Sequence, residues 1–441
     1  MQVNGWGRYP LVNAEFLEPA DSNSLKRMIT SKKTGSMISR GAGRSYGDSS
    51  LADKIISSRF LDNFLDLNEN TENVLTLRCG AGVSLDDILK VCIPRGWFLP
   101  VLPGTKFVTV GGAIAADIHG KNHHKDGSFC EYVESLSLLL ASGETVSCSA
   151  QEKRDLFRAT CGGMGLTGII VDARIRLIKV PSASIKQKTV IAHNLQQCLE
   201  LLEENNNSTY SVAWLDCLAR GKDLGRSLIF LGEHEKETTK NGLSHKSRRI
   251  ISVPFSTPSF LLNKFTMGAF NKTYFNIKRR GRHSVSIDYD RYFFPLDNIG
   301  NWNRLYGSRG FLQYQFVIPG DAALAGITKV LSRVSDAGKG SFLSVLKKFG
   351  AENKNMLSFP KDGYTLALDF KREDRLFPLL LELDEIVVGH GGRIYLAKDA
   401  RMNEAVFKAG YPNWENFLRI KQEYDPKGVF SSHQSIRLGL S

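Results

Sequence analysis

The chain has 441 residues, enough to bury a full core and to form two domains or more, and its hydrophobic (42%) and charged (23%) fractions are ordinary for a globular protein. No apolar run is long enough to span a bilayer, and the opening MQVNGWGRYP lacks an apolar signal core, so a cytoplasmic chain is expected. The formal net charge of +13 favours an anionic partner, and seven scattered cysteines without a C-x-x-C pair read as reduced thiols, with no disulfide framework or zinc knuckle.

Asp21-Ser22 predicts a cap for a short helix through Leu25, Met28 and Ile29. Met37-Ile38-Ser39 reads as a strand running into Arg40-Gly41-Ala42-Gly43-Arg44-Ser45-Tyr46-Gly47-Asp48. The spacing is G-x-G-x-x-x-G and no apolar helix follows, so the ordinary dinucleotide fingerprint fits poorly. Consecutive turn amides with Arg40 and Arg44 would still hold a pyrophosphate. The plainer reading is a surface turn with two solvated arginines. Val74–Leu77 alternates like a strand, and Ser84 starts a helix with Leu85, Ile88, Leu89 and Cys92 on one face.

Pro103-Gly104-Thr105 then turns into Val108-Thr109-Val110, Gly111, Gly112 and a run of alanines that includes Ala116. Small residues over this length let a large flat ligand lie against bare backbone. His119, Lys121, Asn122, His123 and His124 bring polar and titratable groups to its end. A buried small-residue helix with a solvated polar end is the competing reading. Leu136–Leu140 is a strand, Ser142-Gly143-Glu144 a hairpin turn, and a helix from Asp155 ends in the glycine-rich stretch at 162–168. That stretch is a third surface able to admit a flat ligand, or a plain helix cap.

From about Ile185 the pattern becomes α+β with an antiparallel sheet. Strands are predicted at Tyr210–Leu215, Arg226–Leu231, Phe311–Ile318, Phe342–Phe349 and Tyr364–Phe370. Helices are predicted at Asn194–Leu202, Ala322–Ala337 and Leu376–Gly389, and the last fifty residues read as short helices packing back onto another domain. His245–His283 sets apolar residues between basic clusters and reads as a mobile loop lying on an anionic membrane, or as an ordinary core segment.

RGAGRSYGD, PGTKFVTVGGAIAADIHGKNHH and GGMGLTGII, in this order, resemble the FAD-binding half of the vanillyl-alcohol-oxidase (VAO/PCMH) type of flavoproteins. Within it the chain looks most like the decaprenyl-phosphoryl-β-D-ribose 2'-oxidase family, through DIHGKNHH, GWGRYP, FLQYQFVIP, SFLSVLKKFG and GGRIYLAKDARM. The resemblance implies an α+β fold. A two-lobed FAD-binding domain would span 1–182 and a substrate cap on an antiparallel sheet 183–392. A C-terminal segment, 393–441, would return to the first domain.

It implies FAD contacts from residues 40–47, from Pro103, Gly104, Thr105, Thr109, Val110, Gly111, Gly112, Ala116, Asp117, His119 and Asn122, and from Gly165, Ile170 and Tyr395. FAD would be non-covalent, because Arg44 stands where many relatives carry a tethering histidine. The implied reaction is oxidation of the 2'-hydroxyl of a polyprenyl-phosphoryl-β-D-ribose to a ketone. A separate NAD(P)H-dependent reductase would complete the epimerisation. Lys398 would balance negative charge on the flavin, and His119 would orient substrate or relay its proton. Lys121 and Lys347 would grip the phosphodiester as cations. Gln313 and Gln315, alternating on one strand, would face the sugar, and Tyr46 would close the pocket. Ala367 stands where well-known members place a cysteine. Adjacent His123 and His124 lack helical ligand spacing, so no metal is expected. The alternative substrate is a soluble alditol or sugar lactone.

Overall fold

The computed structural model describes residues 1–30, 37–69, 74–236, 242–244, 251–258 and 262–441. Three sheets organise it. The first is parallel, with Lys54–Ser57 between Glu15–Leu17 and Met37–Arg40. Ile38, Ile55 and Ile56 are fully buried there, as expected of β-branched residues in a parallel sheet covered on both faces. The second is antiparallel, in the order Thr145–Ser149, Val133–Leu139, Ile169–Arg176, Leu75–Gly80 and Phe64–Glu69. Leu75, Leu77 and Cys79 point inward while Thr76 and Arg78 point away, the two-residue period of a half-buried strand.

The third sheet is the antiparallel sheet expected of the cap. Its eight strands run Ser284–Asp288, Ser184–Ala192, Ser227–His234, Tyr210–Leu215, Ser344–Phe349, Gly363–Lys371, Phe311–Pro319 and Arg393–Ile394. One face is covered by the helices Leu195–Glu204, Gly320–Asp336 and Leu376–Gly389. Each helix supplies an apolar stripe; in Gly320–Asp336 it is Ala323, Ile327, Val330, Leu331 and Val334. The opposite face lines a cavity with the glycine-rich loops, the helix Lys264–Arg279 covering its Trp214 and Leu228 side, and the register decides which side chains face that space. Gln313 pairs with Asp369, Gln315 with Ala367, and Lys347 with Thr365. Paired residues share a face, so these six side chains project together.

The end of the chain closes the molecule. Arg393–Ile394 pairs with Val317 and Phe316 at the sheet edge. Trp414–Tyr424 packs on the helix Arg154–Thr160. Phe430 then bridges Met37 in parallel, with the Met37 amide donating to Val429 O at 2.8 Å.

The apolar and basic segment departs from the expected loop. Lys264–Arg279 is a helix, capped by Asn263, whose side-chain oxygen accepts the amides of Phe265 and Thr266. Met267, Asn271 and Phe275 form its buried face at four-residue spacing, with Phe275 packed on Trp214 and Leu228. Pro254 and Pro258 lie ahead of the helix and so leave it intact. Phe265, Phe270 and Ile277 remain exposed. His245, Lys246, Arg248, Arg249, Phe260 and Leu261, part of the same reading, lie outside the described residues.

Candidate active site

A cavity of about 1190 Å³ lies between the glycine-rich loops and the open face of the eight-stranded sheet. Its first wall is the loop after Met37–Arg40. The amides of Gly41, Ala42, Gly43, Arg44 and Ser45 donate to no acceptor among the described residues. Unpaired amides in succession are an anion cradle. Gly41 packs on the cap of the short helix Val110–Ala115: a Cβ there would meet Thr109 Oγ1 at 2.2 Å, and that oxygen accepts the Gly112 amide at 3.2 Å. At Gly104 a Cβ would meet no atom within 4 Å, so this wall is bare backbone open to the cavity.

Every sequence-predicted site residue lines the cavity except Arg40, Gly47, Val110, Asp117 and Asn122. These five build the wall from behind. Arg40 turns back to donate to Asn4 O at 2.7 Å and Ser50 Oγ at 3.2 Å, bracing Gly43, which holds a φ of +62°. It is therefore a strut of the loop, while Arg44 faces the cavity with its guanidinium 4.5 Å over Trp6. Gly47 lets two loops cross, since a Cβ would meet Asp399 O at 1.8 Å. Val110 is fully buried. The Asp117 carboxylate accepts from the Cys130 amide, Asn353, Asn355 and Ser358, tying the glycine-rich wall to the loop after Phe349. Asn122 donates to Pro100 O at 2.8 Å.

The polar end of the cavity gathers residues far apart in sequence. The Tyr46 amide donates to Ala397 O at 3.0 Å, which draws the 395–399 loop onto the first glycine loop. Lys398 Nζ then lies 3.9 Å over the Tyr46 ring. Burial pushes Lys398 down to about 8, with Asp369 opposing the shift. Tyr395 stacks on Phe359 and donates to Ala116 O at 3.0 Å. Lys121 Nζ donates to Tyr292 O and sits 4.3 Å over that ring; burial pushes it down to about 7.

His119 is 6% exposed, with Gln315 Nε2 3.0 Å from its Nε2 and Lys347 Nζ 3.1 Å from its Nδ1. Burial, then the Lys347 charge, pushes its pKa well below the ordinary histidine range. Both causes favour the neutral imidazole.

Two polar residues on the same sheet face were not expected from the sequence. Thr365 accepts from Gln315 Nε2 at 3.2 Å. Asp369, fully buried, accepts from Gln313 Nε2 at 2.6 Å and Tyr306 OH at 3.3 Å, and burial raises it to about 7. Because the Gln313 amide nitrogen faces Asp369 and, at 3.5 Å, the Tyr46 hydroxyl, its carbonyl oxygen is free for the cavity. Asp297 also lines the cavity and accepts the Lys106 amide at 2.9 Å. Aromatic side chains, among them Trp6, Phe107, Trp214 and Trp302, complete the lining. The signal for Thr365, Ala367 and Asp369 was present in TLALDF, whose alternation puts all three on the face of Gln313 and Gln315.

No group of His, Cys, Asp and Glu able to hold a metal occurs among the described residues. His123 accepts the Gly350 amide, His124 faces Ser208 O, and Cys130 donates to Ile114 O, so each has a structural partner. All seven cysteines are free and buried.

A cradle of unpaired amides, a bare wall for a flat ring system and a polar sheet face opposite define a flavin-dependent oxidoreductase, and the residues present fit FAD. A family model described as FAD binding domain matches residues 16–149, and one described as D-arabinono-1,4-lactone oxidase matches 369–438. Decaprenylphosphoryl-beta-D-ribose oxidase of Mycolicibacterium smegmatis is 38% identical over 100% of this chain and 97% of its own length. An uncharacterized protein in the mprA 5' region of Streptomyces coelicolor is 32% identical over 81% of this chain and all of its own. A putative D-arabinono-1,4-lactone oxidase of Neurospora crassa is 26% identical over 39% of this chain and 31% of its own. The chain belongs to the VAO/PCMH-type family of FAD-binding oxidoreductases, and within it is related to decaprenylphosphoryl-β-D-ribose oxidase. Its activity is FAD-dependent oxidation of a CH–OH group on a sugar or polyol.

Proposed function

We propose that the protein oxidises the 2'-hydroxyl of a polyprenyl-phosphoryl-β-D-ribose to the 2'-ketone, with FAD held non-covalently. One observation carries the choice of substrate: Lys121, Lys347 and Lys398 line the same cavity as Gln313 and Gln315. Amide groups suit sugar hydroxyls, and adjacent lysines suit a sugar that carries an anion. FAD, when bound, supplies the hydride acceptor. The unpaired amides of the loop at 41–45 would hold its pyrophosphate, with Arg44 beside them. Lys398 offers a cation at the cavity wall to balance negative charge that develops there. Gln313 presents its carbonyl oxygen to a sugar hydroxyl, and Lys121 meets the phosphodiester.

The lipid tail has an exit. Phe270, Ile299 and Lys278 line the cavity and are also exposed, and Phe265 and Ile277 stand exposed on the same helix as Phe270. Lys278, Arg279, Arg280 and Arg282 follow at its end. This surface would meet an anionic membrane, its aromatics at the interface and its cations at the headgroups. No helix among the described residues is long and apolar enough to cross a membrane. The ketone is half of an epimerisation, which a separate NAD(P)H-dependent reductase would complete to the arabinose form.

The D-arabinono-1,4-lactone oxidase model, matched over the stretch that holds Asp369 and Lys398, supports a second reading, oxidation of a soluble alditol or sugar lactone. Mass spectrometry of the isolated reaction separates the two. The lipid-linked ribose is expected to lose two hydrogens without forming an epimer; no product from it would leave the soluble-sugar reading.

A further inference from the structure

The polar face of the cap sheet carries a hydrogen-bond chain whose direction can be followed from one fixed end. Thr365 Oγ1 donates its single proton to Phe316 O at 2.8 Å. The same oxygen is 3.2 Å from Gln315 Nε2, so it accepts there. That fixes the Gln315 amide with its nitrogen toward His119, 3.0 Å from Nε2. The second amide proton is donated to His119 Nε2, which must carry a lone pair. A neutral imidazole has one N–H, so His119 Nδ1 is protonated and points at Lys347 Nζ, 3.1 Å away. An ammonium has no lone pair and would set two donors against each other at this distance, whereas a free amine can share that proton with the Gly120 carbonyl, which also faces the ring. Thr365, Gln315 and His119 are 1%, 4% and 6% exposed, so their polar atoms rely on one another for partners.

We propose that Lys347, kept as a free amine by His119, is the base that takes the proton of the sugar hydroxyl. Lys347 lines the cavity, and rotation about the end of its flexible stem turns the lone pair from His119 to the substrate. In the step, the hydroxyl O–H bond breaks and its proton passes to Nζ. FAD, when held at the 41–45 loop, would be the oxidant and would take up the carbon-bound hydrogen with its electron pair. The electron pair left on oxygen closes the C=O bond. The charged groups around Lys347 are consistent with a neutral resting amine. Burial lowers it to about 7, and Lys121 and Lys398 add to the shift. His123 is the other titratable group close to it. Asp369, the buried carboxylate on the same face, is a poorer candidate because it lies behind Gln313 and does not line the cavity.

This inference rests on the proposed oxidation, and it revises the part of that reading in which Lys347 is simply a cation for the phosphodiester. Two measurements on the FAD-loaded protein test it. The first needs no substrate. With lysines labelled at 13Cε, the resonance missing from the Lys347→Met variant is followed with pH. A midpoint near 7 is expected. A midpoint near the ordinary lysine value of about 10.4 overturns the proposal whatever the substrate is. The second compares Lys347→Arg with Lys347→Met. Arginine keeps the cation and cannot give up its proton. If Lys347 is the base, kcat falls by about 10²–10⁴ in both variants, while Lys347→Arg keeps KM within a few-fold of wild type. A Lys347→Arg enzyme with near wild-type kcat overturns the proposal and returns Lys347 to phosphodiester binding.

Discussion

Lys398 Nζ lies 3.9 Å over the ring of Tyr46, and this contact joins the start of the chain to its end across the candidate active site. Its geometry depends on backbone, because the Tyr46 amide is bonded to Ala397 O and Gly47 lets Asp399 approach. Lys398→Met keeps the stem and removes the charge. We expect it to fold and retain FAD while losing most turnover. Flavin reduction by substrate at the wild-type rate would contradict the assignment.

Two lysines of opposite required charge predict a bell-shaped pH profile. Lys347, lowered to about 7, works as the free amine, so kcat/KM rises as pH rises through that value. Lys398, lowered to about 8, works as the cation, so kcat/KM falls above that value. Because Asp369 holds the Lys398 pKa up, Asp369→Asn should move the alkaline limb to lower pH. A profile flat between pH 6 and 9 in wild type would remove both assignments.

Asp369→Asn has a second expected effect. The Gln313 amide loses a hydrogen bond to a carboxylate at 2.6 Å, an interaction of about 1.5–3 kcal/mol. Gln313 can then turn over and present N–H groups where the sugar meets a carbonyl oxygen. KM for the sugar substrate should rise about tenfold or more, with folding preserved. An unchanged KM would show that Gln313 does not contact the sugar.

Much of this architecture was legible in the sequence. Tyr210–Leu215 and Leu376–Gly389 end where the apolar pattern ends, because each is a clean apolar run between polar breaks. The helix Lys264–Arg279 was not legible. Its sequence holds Gly268, two threonines, two asparagines and three phenylalanines, all modest helix formers or worse, and the helix is held instead by Asn263 and by burial of Phe275 on Trp214. In the site, glycine loops and lysines were visible as motifs. Asp369 and Thr365 were not singled out, because their importance lies in partners on a neighbouring strand. The hydrogen-bond chain from Phe316 to Lys347 exists only in the register of three strands.

FAD should be released into the supernatant by acid precipitation, because Arg44 offers no nucleophile to the flavin ring. Flavin that stays with the pellet would show a covalent link elsewhere.

The proposed membrane-facing helix predicts co-sedimentation with anionic vesicles that weakens as salt rises. Replacing Phe265, Phe270 and Ile277 by Ser should weaken it further, since these side chains are exposed and Met267, Asn271 and Phe275 hold the helix. Folded protein that ignores anionic vesicles at low salt would contradict the membrane role and leave the oxidation chemistry standing.

We propose above that the cavity serves a lipid-linked sugar phosphate. Anaerobic stopped-flow absorbance of the bound flavin tests it directly, with polyprenyl-phosphoryl-β-D-ribose compared against free ribose, an alditol and D-arabinono-1,4-lactone. Rapid bleaching of the flavin band is expected with the lipid-linked phosphate, and slow or no bleaching with the uncharged soluble sugars. Equal or faster bleaching by a soluble sugar would contradict it.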